Sequence, residues 1–394
     1  MGRCFFGLGL LAMHVLGCLC YAHSRCVPKR VVAASSANDP PRRLAVIVVG
    51  VTDRFILEPT LRHVVAPSAK AGVRVDYFLL LSGAWNHERW DSGIPRSVPG
   101  PFANASEADL RAKVQAGAQQ HGASHVSVTL LDRPPALDVL PLDEERRGRL
   151  GKYPPYRSKV GRNQLRRFKA MELLWNKSQA YVGNGSYSHV LVSRDDSYWH
   201  GDIDLDAFPN PMAAYGYFCM YKPVGLVWDH VYVLGGLIAG KLMTLYSDFY
   251  YNTHKLLNNA YVTEHFLYYV GLVKDVRWEY LDYRYFPHRL GRYIDTIDGR
   301  DPPGLCLRYI LTHACNDSRC TDGWGDGTTC HEQDVRMANC AMGWLPRHQV
   351  PGCLNFVGPD NKQLREFLEG RPIGRPANKQ LREFLLSRHL AGKA

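Results

Sequence analysis

The sequence predicts an α/β protein, a single domain around a mostly parallel central sheet with a cysteine-rich segment after it. Three observations predict this. Short apolar runs rich in β-branched residues recur along the chain, stretches of helical composition separate them, and six cysteines crowd into the 48 residues from Cys306 to Cys353. Strands joined through helices pair in parallel, because a crossover returns the chain to the same edge of the sheet. At 394 residues, 46% hydrophobic and 22% charged, the chain can form one large folded domain or two ordinary ones.

The elements follow in order. Leu44 to Val49 is a continuous apolar run of the kind buried on both faces of a sheet. Helical composition runs from Thr60 to Ala71, and a second strand from Val75 to Ser82. "EADLRAKVQAGAQQHG", residues 107–122, is a helix that ends on a glycine stop. A third strand spans Ser124 to Leu131. After a proline-rich, charged loop comes "GRNQLRRFKAMELLWNK", a helix with Leu165, Phe168, Met171, Leu174 and Trp175 on its buried side. Arg162, Arg166 and Lys169 lie on another face, where they meet solvent, phosphate or an acidic acceptor. A fourth strand opens at His189. Residues 228–257 then read as a strand, a Gly235-Gly236 turn and a helix; "NAYVTEHFLYYVGL" is a further helix and "VRWEYLD" a late strand.

The fourth strand runs straight into charge. "SHVLVSRDDSYW" delivers Arg194, Asp195 and Asp196, and Asp202, Asp204 and Asp206 follow, in a chain whose net charge is +11. In open α/β sheets ligands sit beyond the C-terminal ends of the strands, which is where the first pair stands. Oxygen-rich clusters suit hard cations such as Mn²⁺ and Mg²⁺. An ion held by one or two carboxylates can bridge the phosphates of a sugar nucleotide and neutralise the leaving diphosphate. The plainer reading is that Asp195 and Asp196 cap a turn, that Arg194 pairs with Asp195, and that the later acids form a solvated loop.

In their order, these features resemble the GT-A class of glycosyltransferases, and more narrowly its poorly characterised eukaryotic glycosyltransferase-like proteins. The quoted places are "LAVIVVGVTDRF", "NQLRRFKAMELLW", "SHVLVSRDDSYW" and "TEHFLYYVGL", spanning roughly residues 43–285. The resemblance implies a Rossmann-related, GT-A-like domain over residues 43–300, a nucleotide-sugar donor, and a divalent metal on Asp195 and Asp196. Many members carry Asp-x-Asp where this chain has Arg194-Asp195-Asp196-Ser197. Around the pair, Gly50, Thr52, Asp53 and Arg54 lie where a nucleotide would meet the sheet edge, or form a turn and helix cap. Arg194 joins them as a nucleotide-sugar contact. Gly235 and Gly236 leave room for a sugar, or end a strand. Glu264 is the candidate general base on the acceptor hydroxyl, with Asp196 beside it in the catalytic set and His265 a substitute.

Outside that domain, "CFFGLGLLAMHVLGCLCYA", residues 4–22, is an uncharged apolar run at the short end of a membrane span. Residues 1–22 are therefore a signal peptide or a signal-anchor, and residues 23–42 a polar stem. Either leads to the secretory pathway: Golgi or ER lumen as a type II membrane protein, or secretion after cleavage. Cys306, Cys315, Cys320, Cys330, Cys340 and Cys353, in a segment spanning 301–356, would form three disulfides in an oxidising lumen, with 15 connectivities open. Zinc is the rival there, with His313 and His331 nearby but no CxxC pair. Four sequons, at Asn104, Asn176, Asn184 and Asn316, fit a luminal chain. The tail, 357–394, repeats "NKQLREFL" at 361–368 and 378–385, each copy a short amphipathic helix.

The expected function is transfer of a sugar from a nucleotide donor to a glycan or glycoprotein acceptor. The alternative is a luminal or secreted carbohydrate-binding protein with the same fold and no turnover. A disulfide-rich interaction protein would explain the cysteines but not the ordered strands. Nucleic acid is not an expected partner, since the arginines are scattered and neither zinc-finger spacing nor an RNA-recognition signature is present.

Overall fold

The structure, a computed structural model, describes residues 42–83, 99–141, 144–183, 185–219, 226–281, 285–294, 304–308 and 324–326. The apolar N-terminal run, the stem as far as residue 41, the cysteines from Cys315 onward and the duplicated tail lie outside these residues. Among the described residues no helix is long and apolar enough to cross a membrane.

Seven strands form the central sheet: β1 (Arg43–Val51), β2 (Arg74–Ser82), β3 (Ala123–Leu131), β4 (His189–Arg194), β6 (Ala213–Cys219), β7 (Leu226–Gly235) and β8 (Arg277–Leu281). Their order is β3-β2-β1-β4-β7-β6-β8. β1 pairs in parallel with β2 and β4, β2 with β3, and β6 with β8, while β7 runs antiparallel to both neighbours. This is the mixed α/β architecture with a mostly parallel sheet that the sequence predicts. A second sheet joins β5 (Ser197–Trp199), β9 (His288–Ile294), β10 (Gly304–Arg308) and β11 (Trp324–Asp326) in the order β11-β10-β9-β5. The boundary expected at residue 300 thus falls between two paired strands, and Cys306 lies within β10.

The alternation along β1 explains the layers. Ala45, Ile47 and Val49 face one core, and Leu44, Val46 and Val48 face the other, so both sides of the strand are buried. Helices α1 (through Glu58–Thr60, Leu61–Val65 and Ala66–Lys70) and α2 (Glu107–Gln120) cover the second face through Leu61, Val64, Leu110 and Val114. Ser106 caps α2 by accepting from the Asp109 amide at 3.1 Å, and Gly122 takes φ +91° just past its end. Helix α3 (Lys159–Val182) covers the first face with Leu165, Phe168, Met171 and Leu174, each worth about 2 kcal/mol of apolar burial. Trp175 is only partly buried at the rim.

Two further helices complete that face, α4 (Leu245–Tyr251) and α5 (Thr263–Val273). The single helix expected after Gly236 is broken near Met243, where a short turn of helix gives way to α4. Phe249 of α4 and Phe168 of α3 pack on Phe266 of α5 with ring centroids 6.0 and 5.7 Å apart. Arg149, fully buried, fastens the end of α4. Its Nη1 donates to the carbonyls of Asp248 (3.0 Å) and Phe249 (2.6 Å), its Nη2 to that of Asn252, and its Nε to Asn258 Oδ1 (3.0 Å). The last carbonyls of a helix have no donor of their own, so one guanidinium takes the place of a cap and steadies the layer that carries α5. Arg149→Leu should lower unfolding stability by about 3 kcal/mol, because several buried carbonyls lose their donors together. Urea denaturation measures this, and a loss under about 0.5 kcal/mol would contradict it.

Candidate functional site

β4 leaves the sheet beside the C-terminal end of β1, with Arg194 opposite Val49. The next residue turns back into the protein. The Asp195 amide donates to the Val49 carbonyl at 3.1 Å, and the Asp195 side chain lies under the turn that follows β1. There Oδ2 accepts from the Val51 amide (2.9 Å) and Arg54 Nε (2.6 Å), while Oδ1 accepts from Arg54 Nη2 (3.0 Å). Gly50 makes this approach possible, since a Cβ there would stand 1.9 Å from Asp195 Cγ. Asp196 is held by Arg194, whose Nε and Nη2 each donate at 2.8 Å to separate carboxylate oxygens, with Arg54 Nη1 3.7 Å away. Both carboxylates are 0% exposed, whereas the side chains of Arg54 and Arg194 retain 32% and 16%. What exposure this pair of ion pairs keeps belongs to the arginine side chains.

The reversal of β7 adds a second group. Because β7 is antiparallel to β4 (Ser193 pairs with Val231), its early residues Asp229 and His230 arrive at the same end. Arg167 of α3 donates through Nη1 to Asp229 Oδ2 at 2.6 Å and through Nη2 to the Asp229 carbonyl. His230 Nε2 stands 3.5 Å from Asp229 Oδ1. Burial, then the positive charge of Arg194, holds the His230 imidazole well below its ordinary value, so it is neutral at pH 7.

Glu264 closes the arrangement from the first turn of α5. Gln164 Nε2 donates to Thr263 Oγ1 (3.2 Å), and that hydroxyl lies 3.4 Å from Glu264 Oε2. Burial, helped by the charge of Asp229, pushes the Glu264 carboxyl from 4.5 up to about 7. A backbone amide, Arg167 and Thr263 pull the other way and lose. A carboxyl at that value can take or give a proton at neutral pH.

The structure thus gathers Gly50, Arg54, Arg194, Asp195 and Asp196, keeps Thr52 and Asp53 in the turn with Arg54, and sets Glu264 within the electrostatic reach of Asp229 and Arg167. It places Gly235 and Gly236 elsewhere, a correction to the expected sugar contact. Gly235 pairs with His189, so both glycines lie at the far end of β4. Their missing side chains make room for the carbonyls of Pro211 (2.4 Å) and Tyr187 (1.9 Å). A cleft of about 440 Å³ lined by Asn210, Tyr268, Arg277 and Trp278 lies at that same far end. His265 accepts from the Tyr261 amide at 3.3 Å, and burial lowers it to about 4, too weak a base for neutral pH. Arg162 and Arg166 bond the Pro155 carbonyl and Asn163, and Lys169 pairs with Asp138. Asp202 meets His63 (2.7 Å), Asp204 caps the Asp206 amide (3.0 Å), and Asp206 pairs with Arg42.

Asp229, His230 and Arg167 were not in the expected set. The signal for the first two was "WDHV", an acid and an imidazole opening an otherwise apolar strand. Arg167 directly follows Arg166, which bonds Asn163 instead, and only the helix phase separates the two.

A divalent ion implied for Asp195 and Asp196 would need outward-facing carboxylate oxygens. Each oxygen here accepts from a guanidinium, and neither side chain reaches solvent. Among the described residues no group of three or more His, Cys, Asp or Glu is placed to hold a metal. The donor set does not fit a resident cation.

No known protein family matches the chain, and no curated protein resembles it significantly. Among solved structures it is similar to the glycosyltransferase GlyE of Streptococcus pneumoniae TIGR4, at 11% identity and TM-score 0.30, over 62% of this chain and 46% of that one. It is also similar to a nucleoside-diphosphate-sugar pyrophosphorylase of Vibrio cholerae RC9, at 9% identity and TM-score 0.32, over 60% of this chain and 91% of that one. The chain thus spans under half the length of the first neighbour.

The raised Glu264 carboxyl has a consequence for stability. Between pH 4.5 and about 7 the unfolded chain releases this proton while the folded chain keeps it. Stability should therefore fall as pH rises through that window, and level off above it. Glu264→Gln should remove this part of the slope. Urea midpoints at several pH values measure it, and identical slopes in both proteins would contradict the assignment.

Proposed function

We propose that this chain is a nucleotide-sugar-using enzyme, a glycosyltransferase of the secretory pathway that delivers its sugar to a hydroxyl of a glycan or glycoprotein. The observation that carries the reading is Glu264, buried and raised to about 7 by burial and the charge of Asp229, which stands on β7 at the arginine-bearing end of β4. Perturbed titrating groups at the C-terminal ends of sheet strands are the usual position of a reacting centre.

In this reading Glu264 takes the proton of the acceptor hydroxyl as its oxygen bonds to the anomeric carbon. The bond from that carbon to the diphosphate breaks, and its electron pair leaves on the diphosphate. Asp195 and Asp196 handle no proton here. They are positioning residues, each occupied by an arginine. The apolar segment at residues 4–22 and the four sequons support the secretory placement and membrane attachment through the N-terminus.

The test is release of nucleoside diphosphate from a panel of UDP- and GDP-sugars, with simple saccharides as acceptors. Turnover should occur with one donor class, and Glu264→Gln should reduce kcat about 100-fold with little change in KM. Binding of sugar nucleotide or saccharide without turnover would replace the reading with the carbohydrate-binding alternative. Equal kcat in the variant would remove Glu264 as base.

A further inference from the structure

We infer that the Asp195–Asp196 pair takes no divalent cation and instead anchors Arg54 and Arg194 as a diphosphate-binding surface. The identity of the anion rests on the nucleotide-sugar reading above; the arrangement of the arginines does not.

Three observations carry it. The first is saturation: Asp195 accepts from the Val51 amide and two nitrogens of Arg54, and Asp196 accepts two nitrogens of Arg194. A cation could reach these oxygens only by expelling a guanidinium and stranding its charge in a low-dielectric site. The second is depth. Both carboxylates are fully buried, while the side chains of Arg54 and Arg194 keep 32% and 16% exposure, so an arriving ligand can reach the arginines and not the acids. The third is shape. Side-on pairing fixes each guanidinium plane, and planar forks so held are suited to phosphate oxygens. An anion site whose donors are already ordered loses little freedom on binding.

The backbone agrees with a fixed site. Gly50 lets Asp195 approach β1, and the Ile56 amide donates to the Asp195 carbonyl at 2.8 Å. The Asp196 carbonyl accepts from Gly291 of β9 at 2.8 Å, tying the second sheet to the same turn. The acids act here as counter-charges that aim the arginines.

Two titrations of the folded chain test this. Mn²⁺ alone, followed by loss of its free-ion paramagnetic resonance signal, should show no binding up to about 1 mM. Inorganic pyrophosphate, followed by calorimetry in EDTA, should bind, and the double variant Arg54→Met/Asp195→Asn should weaken it about tenfold or more. That variant removes both charges together, so no buried charge is stranded and the fold is retained. Mn²⁺ binding that disappears in Asp195→Asn/Asp196→Asn would overturn the inference, as would pyrophosphate binding unchanged in the arginine variant. Failure of pyrophosphate to bind while a sugar nucleotide still turns over would overturn the inference and leave the transferase reading standing. Loss of both would overturn the two together.

Discussion

A carboxylate carried to the end of a core strand and buried there must have a counter-charge, because desolvation otherwise exceeds anything the local fold can supply. The rest of this site follows from that constraint. Asp195 and Asp196 are fully buried, so Arg54 and Arg194 are drawn onto them. Arg54 comes from the turn after β1, which must pass close over Asp195, and the residue at that point can only be a glycine. The β1 turn, the β4 end and, through Gly291, the second sheet are locked by one pair of acids.

The same logic spreads outward through β7. Its reversal sets Asp229 and His230 against the β4 end, and Arg167 answers Asp229 from α3. Glu264 has no such partner at full strength. It sits at a helix start, with Arg167 and a backbone amide in its favour, yet burial and the neighbouring Asp229 outweigh them. The result is a strand end with three carboxylates held by arginines and a fourth held near neutrality. One population of acids is paired with arginines and one is held near neutrality, and environment alone separates them.

Much of the frame was legible in the sequence. Apolar runs and helical periods located β1 to β4 and helices α1 to α3 closely, because each buries a long, regular face. The acidic strand end was legible too, since charge after a core strand is conspicuous. The direction of β7 was not, because a strand's pattern is the same read either way, and that direction alone decides that Gly235 and Gly236 lie far from Asp195. The short strand β5 and its partner β9 carried no pattern long enough to read. The expected pairing of Arg194 with Asp195 falls one residue away, on Asp196, because Asp195 turns under β1 to Arg54. Spacing could not show that partner: Arg54 lies 141 positions from Asp195, and only the folded sheet brings them to 2.6 Å.

The central claim is that these arginines and acids are one energetic unit. A double-mutant cycle of Arg54→Met and Asp195→Asn, read by urea unfolding, tests it most directly. The account predicts that each single change is more destabilising than the pair, with a coupling of about 2 kcal/mol or more. Additivity within about 0.5 kcal/mol would show that the two side chains do not depend on each other, and would contradict it.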